Sequence, residues 1–332
     1  MREEVRSFQL GDLPEPDVAA AAAVRNRARE VLRPAGALAR LDDVAAWLAG
    51  WQRTPSPAVR KPAAVIFVAD HGVASEGVSA YPAEVTAAML RALQEGAATA
   101  AAMARQIDAS LRTVDVGVGR PSANLVRHPA LSKERFAKCV EVGRRVIEEL
   151  DADLLVLGEM GIANTTPAAA VCTALYGGPA EAWTGRGTGV DDATYVTKVA
   201  AVEAARRRIE DISDPLEILR QVGGPELVAI AGAALEARRR SLPVLLDGFV
   251  VTASVAPLEA VRPGALDHCL AGHCSSESGH RLLLDKLGKP PLLDLGLRLG
   301  EASGALAAVP LVRLAAACVT EVATFAEWGV SR

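Results

Sequence analysis

At 332 residues, half of them hydrophobic and only 4% aromatic, the chain can bury a large core, and its Ala, Val, Leu and Gly bias suits parallel strands between Ala-rich helices. A formal net charge of -4 leaves no broad basic field for a polynucleotide, and five scattered cysteines without a CxxC pair argue against a disulfide framework or a thioredoxin-type redox site. The polar, acidic start at 1–16 lacks the basic segment and apolar core of a signal peptide, and no uninterrupted apolar run is long enough to span a membrane, so the cytoplasm is the expected location.

In chain order, an Ala-rich run predicts a helix over Asp17 to Val31, and a second follows over Leu41 to Trp51 after the Pro34/Gly36 break. The loop Arg53-Thr54-Pro55-Ser56-Pro57 marks a boundary. Short apolar runs then recur at Ala63 to Ala69, Thr113 to Val118, Leu154 to Leu157 and Val244 to Leu246, separated by helix-like stretches. That alternation predicts an α/β fold, a Rossmann-like parallel sheet with helices on both faces. From Ser303 to about Trp328 the pattern is helical, with Pro310 placed to kink or restart it. The division expected is a large α/β domain at 58–296, with a small helical domain formed by 1–57 and 297–332.

In open parallel sheets, ligands sit beyond the carboxyl ends of the strands, so the residues that follow each apolar run carry the most information. They are Asp70-His71-Gly72, Gly158-Glu159-Met160-Gly161 and Asp247-Gly248. Strand ends need turns, and Asp and Gly make turns, so any one of these alone is equally well a turn. In the segment from Gly158 to Pro167, Asn164 or a threonine can cap a helix whose first turn accepts Pro167, leaving backbone N–H groups for an anion. The segment Gly185-Arg186-Gly187-Thr188-Gly189-Val190-Asp191-Asp192, with Lys198 two turns on, also suits a phosphate. It is neither GxGxxG nor GxxxxGK[ST], which disfavours a dinucleotide dehydrogenase or a P-loop nucleotidase. His268, Cys269, His273, Cys274 and His280 lack the paired spacing of a zinc site, so no metal is expected and no cofactor is called for. Arg298-Leu299-Gly300-Glu301 sets an arginine and a carboxylate in a glycine-bounded turn ahead of a helix, where, taken alone, a salt bridge at the helix start is the better explanation.

Taken in order along most of the chain, these segments resemble the nicotinate-nucleotide:dimethylbenzimidazole phosphoribosyltransferase family. The resemblance is carried by Asp70-His71-Gly72-Val73 with Gly77-Val78-Ser79-Ala80-Tyr81-Pro82, Gly158-Glu159-Met160-Gly161-Ile162, Asn164-Thr165-Thr166 and Gly185-Arg186-Gly187-Thr188-Gly189. It continues through Leu246-Asp247-Gly248-Phe249, Gly272-His273, Gly279-His280, the run from Leu293 to Glu301, and Ala323-Thr324-Phe325. The resemblance implies a homodimer that moves phosphoribose from nicotinate mononucleotide to a benzimidazole-type base. The family's catalytic carboxylate falls on Glu301 and its second acidic residue on Glu159. The base pocket falls on Ser79, Tyr81 and Met89, with Ala88 where glutamine is frequent. Ribose and phosphate contacts fall on Gly161, Gly187, Thr188, Lys198, Asp247, Ser275 and Arg298.

The chain departs from the family pattern at Ala163 and Ala302, each standing where glycine is usual, and at Ala88, which is expected to relax the choice of base. The chemistry implied is a single displacement that inverts the anomeric carbon, with a carboxylate accepting the proton that the attacking heterocycle gives up. Related alternatives are transfer to a purine or phenolic base, a nucleotide-binding protein without chemistry, and a nucleosidase that uses water.

Overall fold

The computed structural model describes residues 10–330, so the first nine residues of the polar start lie outside the described residues. In chain order the elements are α1 (Val18–Glu30), α2 (Ala39–Gln52), β1 (Pro62–Ala69), α3 (Val85–Gln94), α4 (Thr99–Gln106), β2 (Ser110–Gly117), α5 (Lys133–Glu148), β3 (Leu154–Met160) and α6 (Thr165–Tyr176). There follow α7 (Ala180–Trp183), α8 (Asp192–Arg208), α9 (Pro215–Val222), α10 (Pro225–Arg239), β4 (Val244–Leu246), α11 (Phe249–Val261), β5 (Cys269–Ala271), α12 (Ser278–Leu287) and α13 (Ser303–Thr320). Several helices start where the sequence supplies an oxygen for their free amides: Asp17 accepts from Ala20, Ser132 from Arg135 and Asp191 from Thr194.

All five strands are parallel, in the order β2-β1-β3-β4-β5, so the chain reverses its direction of travel across the sheet between β1 and β3. Both faces are covered, as the continuous apolar strands require. Val65 and Phe67 of β1 join Leu155 and Leu157 of β3 in one core with α5, α6, α10 and α11. Ala64, Ile66 and Val68 join Leu154 and Val156 in a second core with α1, α2, α4 and α13. The two-residue period of a strand thus divides the buried residues between two layers.

Two expectations are corrected here. The strand at β5 is unforeseen, because Cys-Leu-Ala is short, has no β-branched residue, and is embedded among histidines and cysteines. The last helix ends at Thr320 instead of near Trp328, and it runs through Pro310 without a break. Helix α13 passes for a membrane-crossing helix by length and mean composition, but Arg313 interrupts its apolar run, so no uninterrupted apolar run of that length occurs in it. Its apolar face is spent on the sheet, with Leu306, Val309, Val312 and Val319 in the second core, as in the core helix of a soluble protein.

Candidate active site

The loops that leave β1, β3, β4 and β5 enclose a cleft, open to solvent on one side. Its position at the carboxyl ends of the strands, beside the β1/β3 reversal, is where open α/β sheets bind ligands. Val78 to Ala80 come from beyond β1, Glu159 to Thr165 from the end of β3, Gly248 to Val250 from beyond β4, and His273 and Ser275 from beyond β5. The segment Arg298 to Gly300 closes the cleft from α13's side.

Two carboxylates meet at one end. Glu159 lies one residue before the end of β3, opposite Phe67, and is buried. Burial pushes its carboxyl up to about 8, reinforced by the charges of Asp247, Glu226 and Glu301 and only partly offset by a hydrogen bond donated by Asn164 Nδ2. Asn164 therefore holds Glu159, and its side chain does not cap α6, as the sequence pattern had suggested.

Glu301 sits in a tight left-handed run, with φ of 78° at Gly300, 58° at Glu301 and 65° at Ala302. Its N–H donates to the Glu159 carbonyl at 3.1 Å. A Cβ at Gly300 would lie 2.6 Å from Glu159 Oε1, so glycine is what lets this turn fold over the carboxyl group. The side chain of Glu301 is 3% exposed, and Oε2 has no hydrogen-bond partner among the described residues. Burial raises its carboxyl above the usual range; a backbone N–H at Ala100, in the first turn of α4, pulls it down, and Asp247 pushes it further up. No Arg298–Glu301 ion pair forms among the described residues; Arg298 lines the cleft instead.

The other end is cationic and rich in backbone donors. Lys198 is 1% exposed, and its Nζ donates to Thr165 Oγ1 at 2.7 Å and to the Gly185 carbonyl at 2.8 Å. Burial lowers its pKa, and the nearby Glu277 opposes that shift. Gly187 and Thr188 pass directly above, beside the amino end of α6, where free amides and the helix dipole favour an anion.

Along the floor, Asp247 is fully buried and accepts from the Ala305 N–H at 2.9 Å, pinning the first turn of α13 to the end of β4. Its Oδ1 lies 3.4 Å from His273 Nε2. The histidines and cysteines of this stretch go to separate places. His268 is buried against the Ala234 carbonyl and Trp51, whereas His273 and His280 lie beneath the cleft. All five cysteines are free thiols, with Cys318 the least buried.

The residues singled out in the sequence divide as follows. Glu159, Ser79, Gly161, Gly187, Thr188, Lys198, Ser275 and Arg298 line the one cleft, and Glu301 and Asp247 are buried directly behind it. Tyr81 is 51% exposed and lines a neighbouring hollow that also reaches Ser79. Ala88 is exposed on α3 and Met89 packs against the second core; neither lines the cleft. Sequence reasoning passed over Asn164's hold on Glu159 and took from His273 and His280 only that their spacing does not suit zinc. The polar residues flanking Ser275 were the available signal.

The phosphoribosyltransferase family model matches residues 13–330. A nicotinate-nucleotide–dimethylbenzimidazole phosphoribosyltransferase of Mesorhizobium japonicum is 48% identical over 330 residues, covering 99% of this chain and 98% of its own. The protein of the same name from Methylorubrum extorquens is 48% identical over 320 residues, 96% of this chain and 93% of its own. The crystal structure of CobT from Thermus thermophilus superposes with a TM-score of 0.90 at 44% identity, covering 95% of this chain and 99% of that one. The chain belongs to the nicotinate-nucleotide–dimethylbenzimidazole phosphoribosyltransferase family.

Proposed function

We propose that this chain transfers phosphoribose from nicotinate mononucleotide to 5,6-dimethylbenzimidazole or a related base, giving nicotinate and an α-ribotide. The observation that carries the reading is the pair of unlike carboxyl groups, Glu159 and Glu301, gathered at one end of a cleft whose other end is built for a phosphate.

The residue roles follow from that polarity. The phosphate is held by Lys198, Arg298 and the amides around Gly187 and Thr188, with Gly161 giving the ribose room to lie close. The base lies toward Ser79 and Tyr81, between Val78, Ala80 and Ile162. One ring nitrogen attacks the anomeric carbon from the face opposite nicotinate, and the other gives its proton to Glu301. A carboxylate with a raised pKa is a stronger base for this step, and the desolvated surroundings of Glu301 supply that. Glu159 keeps its proton at neutral pH, so the two acidic side chains do not repel each other as ions, and it can donate a hydrogen bond to the reacting groups. Inversion at the anomeric carbon follows from a single displacement, with no covalent enzyme intermediate.

Glu301→Gln tests the assignment. It keeps shape and loses basicity, so nicotinate release in the presence of base should fall at least ~100-fold while nucleotide binding persists. Near-normal turnover would reject the role.

The same reading makes the protein a cytoplasmic homodimer, with 58–296 as the larger nucleotide- and base-binding division and 1–57 with 297–332 as the smaller helical one, which adds Arg298 to the cleft and Glu301 directly behind it. Exposed apolar side chains at Val18, Leu314 and Trp328 support a covered surface beside α1 and α13. Light scattering at micromolar concentration checks this: a monomer mass would reject it.

A further inference from the structure

Ser275 and His280 form a hydrogen-bonded unit at the cleft floor that the mechanism above leaves unused. The Ser275 N–H donates to His280 Nδ1 at 2.9 Å, and Ser275 Oγ lies 2.9 Å from the same nitrogen. His280 Nε2 is 3.1 Å from Thr252 Oγ1, and that hydroxyl donates to the Gly248 carbonyl at 2.9 Å.

One protonation pattern is compatible with all four contacts, with the single Nδ1 lone pair shared between the Ser275 N–H and the Ser275 hydroxyl. A backbone N–H only donates, so Nδ1 must present its lone pair and the ring hydrogen must sit on Nε2. The Thr252 hydrogen goes to Gly248, which leaves a Thr252 lone pair for the Nε2–H. Phe249, tilted at 6.3 Å, and His273, edge-on at 6.0 Å, neighbour the ring. Burial, with His273 and Arg281 adding to it, lowers the pKa of His280 to about 3, in keeping with a neutral ring.

The Ser275 hydroxyl has one hydrogen-bond partner among the described residues, the Nδ1 acceptor. Its hydrogen is thereby committed inward, and its lone pairs are left for the cleft that Ser275 lines. An oxygen so placed accepts from a ligand donor and offers nothing to a fully ionised phosphate. Nicotinate mononucleotide has donors of this kind in its sugar hydroxyls.

We infer that His280 is a positioning residue, locked as the neutral Nε2–H tautomer, which turns Ser275 into an acceptor for a sugar hydroxyl of the bound nucleotide. This rests on the functional reading above and deepens it: Ser275 reads the sugar, while Lys198 and Arg298 hold the phosphate.

The test titrates the full-length protein with nicotinate mononucleotide and its 2′-deoxy and 3′-deoxy forms, comparing the parent with Ser275→Ala, His280→Leu and His280→Asn. One deoxy form should bind the parent ~10-fold more weakly, and Ser275→Ala should lose the same factor for the full nucleotide with no further loss for that analogue. His280→Leu should copy Ser275→Ala, while His280→Asn, whose Oδ1 replaces the Nδ1 acceptor, should recover most of the affinity. Thr252→Val provides a second, milder perturbation of the same unit and should weaken the discrimination in part.

Equal losses for all three nucleotides in Ser275→Ala would place Ser275 on the phosphate and overturn the inference. So would parent-like discrimination in His280→Leu, or ¹⁵N imidazole shifts showing hydrogen on Nδ1. Failure of the parent to bind nicotinate mononucleotide would overturn the functional reading and the sugar assignment together. Lost discrimination by a parent that still releases nicotinate would overturn the sugar assignment alone.

Discussion

Replacing Glu159 with glutamine should make the ligand-free protein more stable, and increasingly so as the pH rises. In the folded chain the carboxyl is displaced from the ordinary 4.5 to about 8. Between those values the native state keeps a proton that the unfolded state has released, so stability falls with rising pH by about 1.4 kcal/mol per unit. The penalty is near zero at pH 4.5, about 3 kcal/mol at pH 7, and levels off at about 5 kcal/mol above pH 8. Glutamine has no proton to lose, and its amide oxygen can still accept from Asn164. Urea midpoints of parent and Glu159→Gln at pH 5, 7 and 9 isolate the effect, because every other titrating group is common to both. The difference should be small at pH 5 and reach several kcal/mol at pH 9. A gap that stays constant across this range would refute the claim that Glu159 is held protonated by burial.

Lys198→Met should raise the KM for nicotinate mononucleotide at least ~10-fold with a smaller change in kcat, since the lysine's charge serves the phosphate and not the reacting atoms; steady-state kinetics decide this. Removing a buried cation whose nearest partners are a hydroxyl and a carbonyl should leave the melting temperature unchanged or higher. Ala163→Gly should stabilise the fold by about 0.5–1 kcal/mol in chemical denaturation, because Ala163 is held at φ 74°, where a side chain is strained. Gly304→Ala should cost about 2 kcal/mol or more, since a Cβ there would fall inside the van der Waals envelope of the His273 ring. Thermal unfolding of that variant beside the parent measures the cost.

Much of the fold was legible because burial writes a simple pattern. Apolar runs such as 63–69 and 154–157 have the length of strands covered on both faces, and the helices between them carry their caps in sequence. Strand β5 escaped because three ordinary residues acquire strand geometry only by pairing with β4, which supplies the register from outside the segment. The end of α13 was misplaced because turns at 321–329 have the same composition as a helix and differ only in what they touch. In the cleft, Glu159, Lys198 and Arg298 could be picked out as polar residues at strand ends and after glycines, whereas Ala88 and Met89 could not be positioned, since helix phase alone does not say which side of α3 faces a cavity.

By itself the sequence determined the layer architecture, the family and the inventory of chemical groups, because hydrophobic periodicity and ordered motifs are local properties of the chain. Only the tertiary structure decided how those groups behave. Glu159 holds its proton because segments distant in sequence exclude water and bring Asp247 and Glu301 to it. His280 has a defined tautomer because Ser275 and Thr252 converge on its two nitrogens. Desolvation and hydrogen-bond direction depend on three-dimensional neighbours, and no spacing along the chain encodes them.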